Sequence, residues 1–185
     1  MRVISGCMRG KKLHALKGLE TRPTIDRVKE ALFNVIQFDV EEKNVLDLFA
    51  GNGSLGIEAL SRGAKKTVFC DNSNDAIKII NRNLDETGFH NKAQVIKSDY
   101  LLALKKLNKD KFDLIFLDPP YESNYIVKAI NEIMHLKILS DNGIIIIETN
   151  RKEVIDDIRE IKAIELYDER KYGNIMLIFV RKDGE

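Results

Sequence analysis

Val45-Leu46-Asp47-Leu48-Phe49-Ala50-Gly51-Asn52-Gly53-Ser54-Leu55-Gly56 is an apolar run that ends in a glycine loop and passes into the helical stripe Leu55–Leu60. A strand feeding a helix through a Gly-x-Gly-x-x-Gly turn is the opening unit of an open α/β sheet. The same rhythm continues: Thr67–Cys70 then Ala76–Leu84, Ala93–Ile96 then Leu101–Leu107, Phe112–Leu117 then Ile126–Leu139, and Ile144–Ile147 then Val154–Ile161. Five such units predict a parallel sheet covered on both faces. The last two runs, Ile164–Tyr167 and Ile175–Val180, are joined through Tyr172-Gly173-Asn174. That connection is too short for a crossover helix, so the pair must be antiparallel. The expected fold is α/β, a seven-stranded, mostly parallel sheet with one antiparallel strand.

Upstream of the loop, Thr24 is placed to cap a helix whose stripe is Val28, Ala31, Leu32, Val35 and Ile36. Before it, Arg2-Val3-Ile4 and Lys12-Leu13-His14-Ala15-Leu16 flank a turn containing Gly6 and Gly10, which predicts a small β arm outside the core. The 185 residues then read as a single domain, 1–185, with a basic arm at 1–21 and a core at 22–185.

Composition narrows the class of protein. Hydrophobic residues are 44% and charged residues 32%, which excludes disordered and fibrous chains. The longest aliphatic run, Ile144–Ile147, is far short of the roughly 18 apolar residues of a membrane span, and the N-terminus has no apolar signal segment, so a cytoplasmic protein is expected. Cys7 and Cys70 have neither disulfide nor zinc spacing and read as buried thiols. His14, His90 and His135 share no metal-ligand spacing, so no metal is expected. The net charge of +1 conceals an asymmetry: residues 1–29 carry +6 and the remainder −5. Clustered cations (Arg2, Arg9, Lys11, Lys12, Lys17, Arg22, Arg27 and Lys29) suggest a polyanionic partner, with Arg9, Lys11, Lys12, Lys17, Arg22 and Thr24 as candidate RNA contacts.

The glycine loop admits two cofactors. Gly51, Gly53 and Gly56, with Asp71 following 20 residues after Gly51, would suit a nicotinamide dinucleotide and hence an oxidoreductase. Asp47 argues otherwise, because a carboxylate at the strand tip would repel a pyrophosphate at the helix N-terminus. S-adenosylmethionine carries no phosphate, and its sulfonium and ammonium are good partners for an acid. Its ribose hydroxyls can donate to Asp71. Phe49, Asn72 and the Ser98-Asp99 pair complete the expected cofactor site, Asp99 facing the adenine amine or capping the next helix.

The fourth strand runs into Asp118-Pro119-Pro120-Tyr121 at the carboxyl edge, beside the glycine loop. The lone pair of a nucleobase amine is delocalised into its ring, so the nitrogen needs oriented acceptors to aim it at a methyl donor. The Asp118 side chain and a backbone carbonyl such as that of Pro119 supply them. Two prolines fix φ and remove N–H groups, and Tyr121 offers a face on which a base stacks.

These motifs together resemble the S-adenosylmethionine-dependent amino-methyltransferases. The chain is most similar to the bacterial small-subunit ribosomal RNA guanine-N2 methyltransferases, through Arg2–Gly10, Arg22–Asn34, Leu46–Gly51 and Leu55–Ala64. The resemblance implies a Rossmann-like class I methyltransferase fold, S-adenosylmethionine as cofactor, and methylation of one guanine N2 in 16S ribosomal RNA within a small-subunit particle. The protein is expected to act as a monomer. Asn52, Asp71 and Met8 depart from the Ser, Glu and aromatic residue usual in that family. The Asp-Pro-Pro-Tyr motif alone would also serve adenine-N6 or cytosine-N4 chemistry. A non-catalytic RNA-binding factor keeping the same fold is the third reading.

Overall fold

The structure, a computed structural model, describes residues 1–16, 23–120 and 124–184, with backbone alone at 23–25. Its elements in chain order are α1 (Pro23–Val35), β1 (Asn44–Asp47), α2 (Ser54–Ser61), β2 (Lys66–Asp71), α3 (Asn74–Thr87), β3 (Ala93–Lys97), α4 (Tyr100–Lys106), β4 (Phe112–Leu117), α5 (Tyr125–His135), β5 (Leu139–Thr149), α6 (Glu153–Arg159), β6 (Ile164–Tyr172) and β7 (Ile175–Lys182). The seven strands form one sheet in the order β3-β2-β1-β4-β5-β7-β6. Strands β1 to β5 pair in parallel, and β7 runs antiparallel to both β5 and β6. This is the expected α/β sheet, with β7 as its one antiparallel strand.

Side-chain alternation along the strands builds two cores. Leu46, Val68, Ile115, Ile145 and Ile178 pack with α4, α5 and α6 on one face. Val45, Phe69, Leu114, Ile146 and Leu177 pack with α1, α2 and α3 on the other. Helix α2 lies very close to β2 because Gly56 has no side chain: a Cβ there would stand 2.2 Å from the Phe69 ring.

Several details differ from the sequence reading. Helix α1 starts at Pro23, a favoured first helical position, so Thr24 stands inside the first turn instead of capping it. Helix α5 stops at His135, not Leu139: Lys137 adopts φ 55, Ile138 N–H bonds back to the Ile133 carbonyl, and Leu139 already opens β5. Residues His90–Lys92 add an unforeseen 3₁₀ turn before β3.

The N-terminal segment is the larger correction. Its β character reduces to one bridge, Arg2 to Lys12, and it is docked on the core and not held off it as an arm. Val3 and Leu13 are buried in the core of α1–α3. Glu58 on α2 accepts the Ile4 and Ser5 N–H groups at 2.7 and 3.0 Å, and the Ser61 hydroxyl donates to the Ser5 carbonyl at 2.6 Å. Gly6, at φ 82, crosses so near the end of α2 that a Cβ would lie 1.8 Å from the Ser61 carbonyl oxygen. Cys70 is buried as expected, whereas Cys7 rides this segment exposed.

Candidate active site

The carboxyl ends of β1, β2, β4 and β5 open into a cleft of about 780 Å³. Its lining contains the sequence-predicted Asp47, Phe49, Gly51, Asp71, Asn72, Asp99, Asp118, Pro119 and Pro120. Open α/β sheets bind ligands at this edge. Met1, Ala15 and Leu16 of the N-terminal segment and Tyr172 and Asn174 of the β6–β7 hairpin form further walls.

The glycine loop is fixed by hydrogen bonds to its neighbours. Ala50 N–H donates to the Cys70 carbonyl at 2.9 Å, and Gly51 N–H to Asp71 Oδ2 at 2.8 Å. The other Asp71 oxygen accepts Ser73 N–H at 2.8 Å, so Asp71 ties the first loop to the second while still lining the cleft. It is thus a turn-forming acid that also stands in the cleft wall. Asp99 accepts Leu101 N–H at 2.9 Å as the cap of α4 and also faces the cleft. Gly53 supports the loop from behind, its N–H bonded to the Ala50 carbonyl at 2.7 Å, and is not part of the lining.

Asp47 is buried, and its Oδ2 accepts Gly56 N–H at 3.0 Å. Burial, opposed by that N–H and reinforced by Asp118 and Asp71, pushes its carboxyl up to about 7. A cation entering the cleft would reverse that shift and favour the ionised carboxylate. A pyrophosphate would meet Asp47, Asp71 and Asp118 together, so these residues fit a cationic, phosphate-free cofactor. Burial likewise raises the Asp118 carboxyl.

Around Phe49 the cleft contains residues that the motifs did not single out. Phe49, Tyr100 and Tyr125 form an aromatic cluster, with ring centroids 5.2 Å apart for Phe49–Tyr100 and Tyr100–Tyr125 and 5.9 Å for Phe49–Tyr125. Glu148 and Asn150, at the end of β5, also face in. The available signal was positional: Glu148 follows the Ile144–Ile147 run as Asp47, Asp71 and Asp118 follow or end theirs. Among the described residues no cluster of three or more metal-ligating side chains occurs, and no helix is long and apolar enough to cross a membrane.

The expected RNA contacts divide. Arg9 and Lys12 are exposed on the N-terminal segment. Lys11 is half-buried and pairs with Glu86 at 3.5 Å. Lys29, one of the clustered cations of the sequence, is buried: it pairs with Glu58 at 3.4 Å, donates to the Arg2 carbonyl at 2.7 Å and lines the cleft, so it cannot serve as a phosphate contact on the surface. Lys17, Arg22 and Tyr121 lie outside the described residues, as does the Thr24 side chain. The segment and the cofactor loop are joined: the Asn52 and Asn83 amides both donate to the His14 carbonyl at 3.1 Å.

The family described as Conserved hypothetical protein 95 matches residues 1–181. The ribosomal RNA small subunit methyltransferase D of Haemophilus influenzae is 40% identical over 153 residues, which are 82% of this chain and 79% of that protein. Among solved structures, HI0767 from Haemophilus influenzae superposes with a TM-score of 0.81 at 33% identity, covering 98% of each chain. The Escherichia coli protein yhhF superposes with a TM-score of 0.84 at 26% identity, covering 100% of this chain and 99% of that one.

Proposed function

Because this chain belongs to the Conserved hypothetical protein 95 family, together with the ribosomal RNA small subunit methyltransferase D of Haemophilus influenzae, we propose that it transfers a methyl group from S-adenosylmethionine to the N2 amine of one guanine in 16S ribosomal RNA. The substrate is a small-subunit particle in the cytoplasm, and the enzyme acts as a monomer of one domain. The observation that carries this reading is the placement of Asp118-Pro119-Pro120 on the same cleft as the Asp47–Gly51 loop.

S-adenosylmethionine supplies a methyl carbon already bonded to a cationic sulfur, so no nucleophilic side chain is needed. Asp47 and the Gly51 carbonyl hold the ammonium of the amino-acid end, and Asp71 faces the ribose. Asp118 and the Pro119 carbonyl accept the two N–H groups of the guanine amine and aim its nitrogen. Tyr121 stacks on the base. The neutral amine is far too weak an acid for a carboxylate to deprotonate, but the nitrogen becomes strongly acidic once methylated. Asp118 or water therefore takes the proton late.

The test against an oxidoreductase is direct. Calorimetry should show S-adenosylmethionine and its demethylated product binding at least about tenfold more tightly than NAD, a gap of ~1.4 kcal/mol. Tighter binding of NAD would overturn the assignment.

Arg9 and Lys12 present the polyanion-binding face. Replacing both with alanine should weaken particle binding and flatten its dependence on log salt concentration by about 0.7–0.9 for each phosphate no longer neutralised. Cofactor affinity should stay at the parental value. An unchanged salt slope would show these cations to be solvated and unused.

A further inference from the structure

Beside Asp118 stands a second carboxyl that methyl transfer leaves without a task. Leu117 of β4 is in register with Ile147 of β5, so the next residues, Asp118 and Glu148, are neighbours across the two strands. Alternation places both on the face of Leu114, Phe116, Ile144 and Ile146, the face from which Asp47 also projects. Both line the cleft. Among the described residues neither carboxyl has a hydrogen-bond donor or a cation as partner, and the nearby Lys29 is engaged by Glu58. Once ionised, a carboxyl is acceptor-only, and one held half-buried without a donor is matched by a ligand that brings one.

We propose that Glu148 accepts the N1–H of the target guanine, so that the Asp118–Glu148 pair selects a base whose ring nitrogen beside the reacting amine is a donor. The inference rests on the guanine-N2 reading and extends it to how the base is chosen. In guanine the N1–H and the N2 amine form a continuous donor edge, which two adjacent carboxyls match atom for atom. In adenine and cytosine the ring nitrogen beside the amine is an acceptor, and its lone pair would face that of an ionised Glu148. A site built to pair a substrate N–H rejects analogues that lack it, because its own buried polar group is then left unpaired. Burial and the charge of Asp118 push the Glu148 carboxyl upward, and the donors of guanine supply the stabilisation that favours its ionised form. Enzymes that act on extruded bases commonly read this same edge.

The experiment is single-turnover methylation of small-subunit particles reconstituted with 16S ribosomal RNA carrying either guanine or 2-aminopurine at the target position. 2-Aminopurine keeps the N2 amine but has an acceptor at N1. Glu148→Ala should lower the guanine rate about 30-fold and change the 2-aminopurine rate less than about threefold. Glu148→Gln keeps the side-chain volume and one acceptor oxygen, so its guanine rate should stay within about tenfold of the parent. Its amide N–H should raise the 2-aminopurine rate. Loss by the same factor on both bases in both variants would overturn the role of Glu148 alone. Failure of the parent chain to methylate guanine N2 at all would overturn the reading on which it rests.

Discussion

Asp118→Ala should lower the single-turnover rate of methyl transfer into small-subunit particles about 1000-fold or more, while the Kd for S-adenosylmethionine stays within about threefold of the parent. Asp118 lies at the cleft end of β4, where Leu48 N–H bonds to the Phe116 carbonyl at 3.2 Å and anchors the two strands together. In the proposed mechanism its carboxyl is the acceptor that fixes the amine, so truncation would leave the nitrogen free to rotate away from the methyl carbon. Cofactor binding is spared for an electrostatic reason. The charge of Asp118 is one of the causes that push Asp47 upward, and removing it leaves Asp47 more fully ionised and no poorer a partner for a cation. Asp118→Asn keeps one acceptor oxygen and should lose only about 10- to 100-fold. A near-parental rate for Asp118→Ala would remove this residue from the mechanism.

Glu58→Ala should cost about 3–5 kcal/mol of folding stability, the largest effect expected away from the chemistry. Glu58 is fully buried and binds Arg62 at 2.8 Å, Lys29 at 3.4 Å and the Ile4 and Ser5 N–H groups. Truncation takes from the Lys29 ammonium, itself 3% exposed, its ion-pair partner and leaves only the more weakly acting charge of Asp26. Burial already lowers its pKa, and Glu58 is foremost among the groups that resist that lowering. Arg62 suffers less, since it keeps its place over the Phe33 ring, 4.8 Å from the centroid. Urea titration measures the loss. Hydrogen exchange at Val3, Gly10 and Leu13 should rise with it, because those amides bond within the segment that Glu58 pins. The double variant Lys29→Met, Glu58→Leu should recover only the part of the loss that comes from the stranded ammonium, since the Ile4 and Ser5 N–H groups and Arg62 stay without their acceptor. A loss below about 1 kcal/mol for Glu58→Ala would show that the buried charges rearrange.

The parallel sheet was legible because strands buried on both faces read as continuous apolar runs, and because Gly173-Asn174 permits only a hairpin. The two halves of the site were legible because their residue types are chemically costly where they stand: a glycine loop after a strand, and Asp-Pro-Pro ending one. The N-terminal segment was not. Its charged residues outnumber Val3 and Leu13, and the acceptor that docks it, Glu58, is more than 50 positions away in sequence. Lys29 was misread for the same reason, since a lysine is ordinarily solvated and nothing local announces a buried partner. The end of α5 was hidden by the apolar residues Leu136, Ile138 and Leu139, which continue a helical stripe past the left-handed turn at Lys137. Glu148, Tyr100 and Tyr125 escaped notice because each belongs to no motif. Only strand register and the meeting of element ends bring them to the cleft.

The most direct measurement is mass mapping of modified guanines in 16S ribosomal RNA from cells lacking this protein, before and after incubation of their small-subunit particles with the purified chain and S-adenosylmethionine. One guanine should lack an N2-methyl group in those cells, gain it on incubation, and stay unmethylated with Asp118→Ala. Full N2 methylation in the deleted cells, or a methyl group appearing on adenine or cytosine instead, would contradict the proposed function.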